Sequence, residues 1–134
     1  MKPSILIVDD EKTICNGLSR LFADDYITYE AYNACEALDI LTKVRDIDIM
    51  LCDIKMPGMR GDELIERVRK SNEDLFIILI TAASPIIICD AMKKGANSYM
   101  RKPLDIELLE KTLMQAVRSK GSAVKGCQPA AVSR

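Results

Sequence analysis

The sequence contains no histidine and no tryptophan. The first absence removes imidazole metal sites, Ser-His-Asp triads and imidazole acid-base chemistry. Aromatic residues make up only 4% of the 134 residues, too few for a platform that stacks nucleic-acid bases. Neither charge is in excess: 19 Lys+Arg stand against 20 Asp+Glu, a net of −1. The basic footprint of a nucleic-acid-binding domain is therefore missing. Apolar runs stop far short of the roughly 18 residues that a membrane-spanning helix needs. The opening Met1-Lys2-Pro3-Ser4 leads to only four apolar residues and then two acids, so no secretory signal is expected. Five cysteines, at 15, 35, 52, 89 and 127, are odd in number, widely spaced and without a CxxC pair. They fit neither a disulfide framework nor a zinc site. Cys15, Cys35, Cys52 and Cys89 lie among apolar residues and read as core thiols of a reducing, cytoplasmic protein.

What is present is a globular composition, 49% hydrophobic and 29% charged, of a length that suits one domain. Ile5-Leu6-Ile7-Val8, Ile49-Met50-Leu51-Cys52 and Phe76-Ile77-Ile78-Leu79-Ile80 are apolar on both faces, the mark of parallel strands covered by helices on each side. A weaker run, Ser98-Tyr99-Met100, and a more polar one, Tyr26 to Ala31, predict two further strands, the second at an edge. Between them the i, i+3, i+4 pattern predicts helices over 12–24 (Ile14, Leu18, Leu21, Phe22), 34–44 (Ala37, Leu38, Leu41, Val44), 61–70 (Leu64, Ile65, Val68) and 105–118 (Ile106, Leu109, Leu113, Val117). A further helix opens at Ser84-Pro85, a cap followed by proline in the first turn, and stops at Gly95. Strand and helix alternate five times, and right-handed crossovers then give a doubly wound α/β domain of about five parallel strands. From Ser119 to Arg134 the apolar period is lost, so residues 1–118 are expected to form the domain and 119–134 a flexible linker or tail.

In an open parallel sheet, ligands bind beyond the carboxyl ends of the strands. There the first strand runs into Asp9-Asp10-Glu11, the third into Asp53, the fourth into Thr81, and the fifth is followed by Lys102-Pro103. Clustered carboxylates repel and call for a cation. Hard oxygen ligands without histidine or cysteine suit Mg²⁺. A lysine beside the cation pairs with a carboxylate or a phosphoryl oxygen, and a threonine hydroxyl can donate to the same group. Such a set suits the transfer of a phosphoryl group onto a carboxylate. Asp9 and Asp10 are equally well placed to cap the helix that follows.

Val8-Asp9-Asp10-Glu11, Asp53-Ile54-Lys55-Met56-Pro57-Gly58, Ile80-Thr81-Ala82 and Lys102-Pro103, in this order and each at a strand end, resemble the receiver domain of two-component response regulators over residues 3–118. The resemblance implies a flavodoxin-like sheet of strand order 2-1-3-4-5. It implies that Asp53 is the phosphoacceptor, that Asp10 binds Mg²⁺ directly and Asp9 mainly through water, and that Asp53 and the Lys55 backbone carbonyl complete the protein ligands. Thr81, Lys102 and the Ala82 N–H would engage phosphoryl oxygens. Tyr99 would be the switch aromatic that turns inward as Thr81 moves, and the Lys102-Pro103 bond is often cis in this family. The implied partner is a sensor histidine kinase or phosphotransfer protein, and the implied output is a partner, an output domain or a homodimer formed through the fourth helix, fifth strand and fifth helix.

Two departures stand out. Pro85-Ile86-Ile87-Ile88-Cys89 replaces the usual polar residues in a helix that looks one residue short, and three successive isoleucines cannot all face inward. At least one is expected to meet solvent or a neighbour. Arg60 stands where an acid or asparagine commonly precedes the glycine, here Gly61. Three other readings compete. An aspartate-nucleophile phosphatase typically carries an acid two residues after the nucleophile, where this chain has Lys55. A nucleotide or flavin binder needs a phosphate loop where Asp9-Asp10-Glu11 stands. A receiver-like interaction module without phosphorylation would have no need of the complete acid set.

Overall fold

The apolar runs form the inner strands of one parallel sheet. The computed structural model describes residues 2–121. In chain order the elements are β1 (Ser4–Val8), α1 (Lys12–Phe22), β2 (Ile27–Ala31), α2 (Ala34–Lys43), β3 (Ile49–Cys52), α3 (Gly61–Arg69), β4 (Phe76–Thr81), α4 (Pro85–Lys94), β5 (Ser98–Arg101) and α5 (Ile106–Gly121). All strand pairings are parallel, in the order β2-β1-β3-β4-β5. The polar run after Tyr26 is the edge strand β2, as expected.

Period-two alternation sends the two faces of each inner strand into different cores. Leu6, Val8, Met50, Cys52, Ile77 and Leu79 pack with α2, α3 and α4 residues such as Ala37, Leu64, Ile65, Val68 and Ile88. Ile5, Ile7, Ile49, Leu51, Ile78, Ile80 and Met100 pack on the other side with Cys15, Leu18 and Phe22 of α1 and Leu109, Leu113 and Ala116 of α5. Burial of each Val, Leu, Ile, Met or Phe side chain among them contributes about 1.5–3 kcal/mol.

Several helix ends follow local rules. The Asn33 side chain accepts from the Glu36 N–H at 2.9 Å to start α2. Ser84 accepts from Ile87 N–H, with Pro85 in the first turn of α4, and that helix is a regular one of 10 residues that ends at Gly95. Gly95 has φ 133°, a conformation that favours glycine.

Four expectations need correction. The N-cap of α1 is Glu11, so neither Asp9 nor Asp10 caps that helix; both acids belong to the site described below. Cys35 and Cys89 are exposed, because they sit on outer helix faces, and only Cys15 and Cys52 are core thiols; Cys127 lies outside the described residues. Leu21 and Ile106 are 47% and 37% exposed instead of packed with their helix neighbours. Finally, α5 continues to Gly121, three residues beyond 118; the rest of the expected tail lies outside the described residues.

One ionic network forms around a buried acid that the sequence pattern does not reveal. Asp62, in the first turn of α3, accepts from Arg60 Nε at 3.0 Å and from Lys94 Nζ of α4 at 3.0 Å. Burial alone would raise the Asp62 carboxyl, but these two cations outweigh it and hold it below its ordinary 3.8. A carboxyl that titrates lower when folded stabilises the protein above its unfolded value and loses that contribution as pH falls through the folded one. Asp62→Asn should cost about 1–2 kcal/mol at neutral pH. Urea melts at several pH values should show the gap between variant and wild type closing below about pH 4. A gap independent of pH would contradict the ionic origin.

Candidate functional site

The main-chain ladder runs one residue past the strands. Asp9 N–H donates to Ala31 O at 3.1 Å and Asp53 N–H to Val8 O at 3.0 Å. Two acids that follow adjacent strands are thereby held side by side at the carboxyl edge of the sheet. Asp10, next in the turn to α1, is exposed, while Asp9 and Asp53 are buried. One carboxylate oxygen of each of the three lies within 4.8 Å of the others.

Lys102, directly after β5, closes this cluster. Its ammonium donates to Asp9 Oδ2 at 2.9 Å and to Asp53 Oδ2 at 3.0 Å, with Glu11 Oε1 at 3.6 Å. The remaining oxygens meet backbone: Asp9 Oδ1 accepts from Glu11 N–H at 2.9 Å, and Asp53 Oδ1 from Lys55 N–H at 3.3 Å. Burial alone would lower the Lys102 ammonium, but the two acids outweigh it and push it up. Burial pushes the Asp9 carboxyl up, with Asp53 adding to it, although Glu11 N–H and Lys102 oppose the shift. Three carboxylates against one ammonium leave an excess of negative charge, and the pocket of Asp9, Asp10 and Asp53 could hold a metal ion. All donors are hard oxygens, which suits a small divalent cation.

Thr81 ends β4 fully buried, and its Oγ1 accepts from Ala83 N–H at 3.1 Å; Ala82 between them is exposed. Tyr99 on β5 points outward, 49% exposed. The Lys102-Pro103 bond is cis. The structure thus brings Asp9, Asp10, Asp53 and Lys102 together, with Thr81 and Ala82 at the end of the next strand and Tyr99 standing apart.

Gly61 sets the floor of the site. A Cβ there would overlap the Asp53 carbonyl oxygen and come within 2.8 Å of the Ile54 Cα, so α3 starts directly against the backbone that carries Asp53. Two core thiols brace the backbone of the two buried acids, one each, from opposite faces of the sheet. Cys52 Sγ donates to Asp53 O at 3.2 Å and Cys15 Sγ to Asp9 O at 3.3 Å. Burial pushes the Cys15 thiol up to about 12, so it remains a neutral donor. These supporting contacts were not legible in the sequence, where the cysteines registered only as apolar residues.

An open, mainly apolar concavity of about 430 Å³ lies beside the acids, lined by Ile54, Lys55, Met56, Pro57, Arg60 and Ile87. None of the three carboxylates lines it.

The model of the response regulator receiver domain family matches residues 5–114. The chain belongs to that family. Among known proteins, the receiver domain is 38% identical over 109 residues to sporulation initiation phosphotransferase F of Bacillus subtilis, which covers 80% of this chain and 87% of the relative. It is 39% identical over 116 residues to a chemotaxis protein CheY homolog of Campylobacter jejuni, 81% of this chain and 88% of that one. A CheY-like receiver domain protein from Methanospirillum hungatei JF-1 superposes with a TM-score of 0.81 at 30% identity, over 88% of this chain and 96% of the other. The family works in phosphorelay signal transduction, as signalling domains and not as turnover enzymes. Its members interact with histidine kinases or phosphotransfer proteins. Among the described residues, no helix is long and apolar enough to cross a membrane.

Proposed function

We propose that this receiver domain takes a phosphoryl group onto Asp53 from the phosphohistidine of a cytoplasmic sensor kinase or phosphotransfer protein, and that the modified domain switches a partner or output domain. The reading rests above all on one observation: the Lys102 ammonium bridges Asp9 and Asp53 while Asp10 lies within reach of both. An Asp53 carboxylate oxygen forms the new bond to phosphorus as the phosphorus–nitrogen bond of the donor breaks, and the proton needed by the leaving imidazole comes from the donor's side. Asp10, Asp53 and the Lys55 carbonyl would hold Mg²⁺, with Asp9 acting mainly through water. Bound there, Mg²⁺ supplies charge neutralisation for the incoming phosphoryl oxygens. Lys102 then exchanges Asp53 for a phosphoryl oxygen as its partner. Thr81 hydroxyl and Ala82 N–H donate to the other oxygens, and Tyr99 follows Thr81 inward.

Acetyl phosphate with Mg²⁺ should add one phosphoryl group to the wild type, read by intact mass, and none to Asp53→Asn. A full gain by the variant, or by wild type in EDTA, would remove the acid cluster from the reaction.

The output surface proposed here is the face of α4, β5 and α5. Ile86 is 81% exposed, whereas Ile88 is buried and Ile87 half-buried. One of the three thus meets solvent. Tyr99, Leu108 and Ile106 add exposed apolar area on the neighbouring elements, and clustered apolar exposure marks interfaces. Ile86→Asp should keep the circular dichroism of wild type and lose self-association or partner binding in beryllofluoride, a phosphoryl mimic. Sedimentation velocity reads the first directly, and wild-type behaviour of the variant in both assays would exclude this face.

A further inference from the structure

Arg101 has no part in the reading above, yet it holds the segment that must move. In the β4–β5 register Arg101 faces Thr81, and Tyr99 faces Leu79. Neighbouring residues of paired parallel strands project from the same side of the sheet, and residues two apart share a face. Leu79 belongs to the core under α4, so Thr81, Tyr99 and Arg101 all stand on that side. From there the Arg101 guanidinium crosses to the turn before α4 and donates from Nη1 to the Ala83 carbonyl at 3.2 Å. The N–H of the same residue donates to Thr81 Oγ1 at 3.1 Å, and Lys102 N–H donates to Thr81 O at 3.1 Å. Ala83, itself fully buried, is thus tied at both its amide and its carbonyl. The turn that carries the phosphate-reading Thr81 and Ala82 is pinned to β5 by one long, charged and otherwise exposed side chain. Tyr99 remains outside, half exposed, on the same edge.

We propose that Arg101 is a positioning residue that latches the β4–α4 turn in the resting state and blocks the inward path of Tyr99. The proposal rests on the reading of Thr81 and Tyr99 as the switch pair. In the resting state the guanidinium and its aliphatic stem occupy the gap between β5 and the Ala83 turn. For Thr81 to approach a phosphoryl oxygen, the turn must shift; for Tyr99 to follow, that gap must open. Both movements break the same charged hydrogen bond. The latch therefore works against activation, and its loss raises the apparent affinity for any ligand that selects the activated state.

The test uses the full chain with Mg²⁺ and beryllofluoride as the probe. Arg101→Met keeps the apolar stem and removes the donor; Arg101→Lys keeps a donor. Circular dichroism checks folding in each. Arg101→Met should bind beryllofluoride about fivefold tighter than wild type, the worth of one net hydrogen bond, while Arg101→Lys stays within twofold. In a Tyr99→Ala background the gain from Arg101→Met should shrink but persist, because the Ala83 turn must still shift for Thr81 while no ring then needs the gap. Unchanged or weaker binding by Arg101→Met overturns the latch, as does an equal gain with and without Tyr99. Intact mass after acetyl phosphate treatment keeps the two levels apart. Phosphorylation of wild type with no effect of Arg101→Met removes the latch alone, whereas failure of wild type to accept phosphate removes the switch reading and the latch with it.

Discussion

Lys102→Ala should fold, should be markedly less stable in EDTA, and should lose its response to beryllofluoride. The ammonium is the only cation within hydrogen-bond distance of both Asp9 and Asp53 among the described residues, at 2.9 and 3.0 Å. Its removal leaves two buried carboxylates facing each other beside the exposed Asp10. Truncation of one partner of a buried pair costs about 3–5 kcal/mol; at this partly exposed edge a loss of about 2–3 kcal/mol is expected. A divalent cation can take over the lost charge. Mg²⁺ should therefore raise the melting temperature of Lys102→Ala by more than it raises that of wild type. The response to beryllofluoride, read by sedimentation or partner binding, should fall by about a hundredfold, because one charged hydrogen bond to the mimic is gone in a site of low dielectric. Wild-type stability in EDTA combined with a wild-type response would take Lys102 out of the mechanism. Thr81→Ala removes a neutral hydroxyl and is expected to fold in either condition.

Gly61→Ala should be the most damaging of the alanine substitutions at Gly17, Gly58, Gly61 and Gly95. The new Cβ meets backbone, the Asp53 carbonyl and the Ile54 Cα, and not a flexible side-chain end. Relief requires α3 to draw back from β3, yet Gly61 N–H is bonded to Ile54 O at 2.9 Å and Leu64 and Ile65 are fully buried. Overpacking of this kind costs about 3 kcal/mol, which for a domain of this size lowers the melting temperature by roughly 10 °C. Any variant that folds should also accept phosphate slowly, because the strain falls on the peptide that carries Asp53. Gly17→Ala makes the control: nothing lies within 4 Å of a Cβ there. Scanning calorimetry and the rate of phosphorylation by acetyl phosphate read both effects. A Gly61→Ala protein as stable as Gly17→Ala would show that the contact relaxes freely.

The sheet and the acid cluster were legible because their signals are local and chemically narrow. Residues 5–8, 49–52 and 76–80 are apolar at every position, the pattern of buried parallel strands, and each is followed by a residue whose charge or hydroxyl needs a polar partner. The edges were harder. Leu21 fits the helical period of α1, but a helix on the rim of a layer has one side of its stripe uncovered, and 47% of Leu21 remains exposed. Cys35 and Cys89 sit among apolar neighbours in sequence while their helix faces turn outward, because neighbours along a helix do not share a face. The Asp62–Lys94 pair joins residues 32 positions apart and the Arg101–Ala83 bond residues 18 apart. Neither pairing leaves a periodic trace, since each is made by a long side chain whose direction depends on tertiary packing.

On the proposed reading, Asp53 itself carries the phosphoryl group. An acyl phosphate is reduced by borohydride to an alcohol, whereas a free carboxylate and a phosphorylated hydroxyl are not. Treatment with acetyl phosphate and Mg²⁺, followed by borohydride and peptide mapping by tandem mass spectrometry, should convert residue 53 to homoserine and leave Asp9, Asp10 and Asp62 unchanged. Homoserine at another aspartate, or phosphate retained on Thr81 with Asp53 intact, would exclude Asp53 as the acceptor.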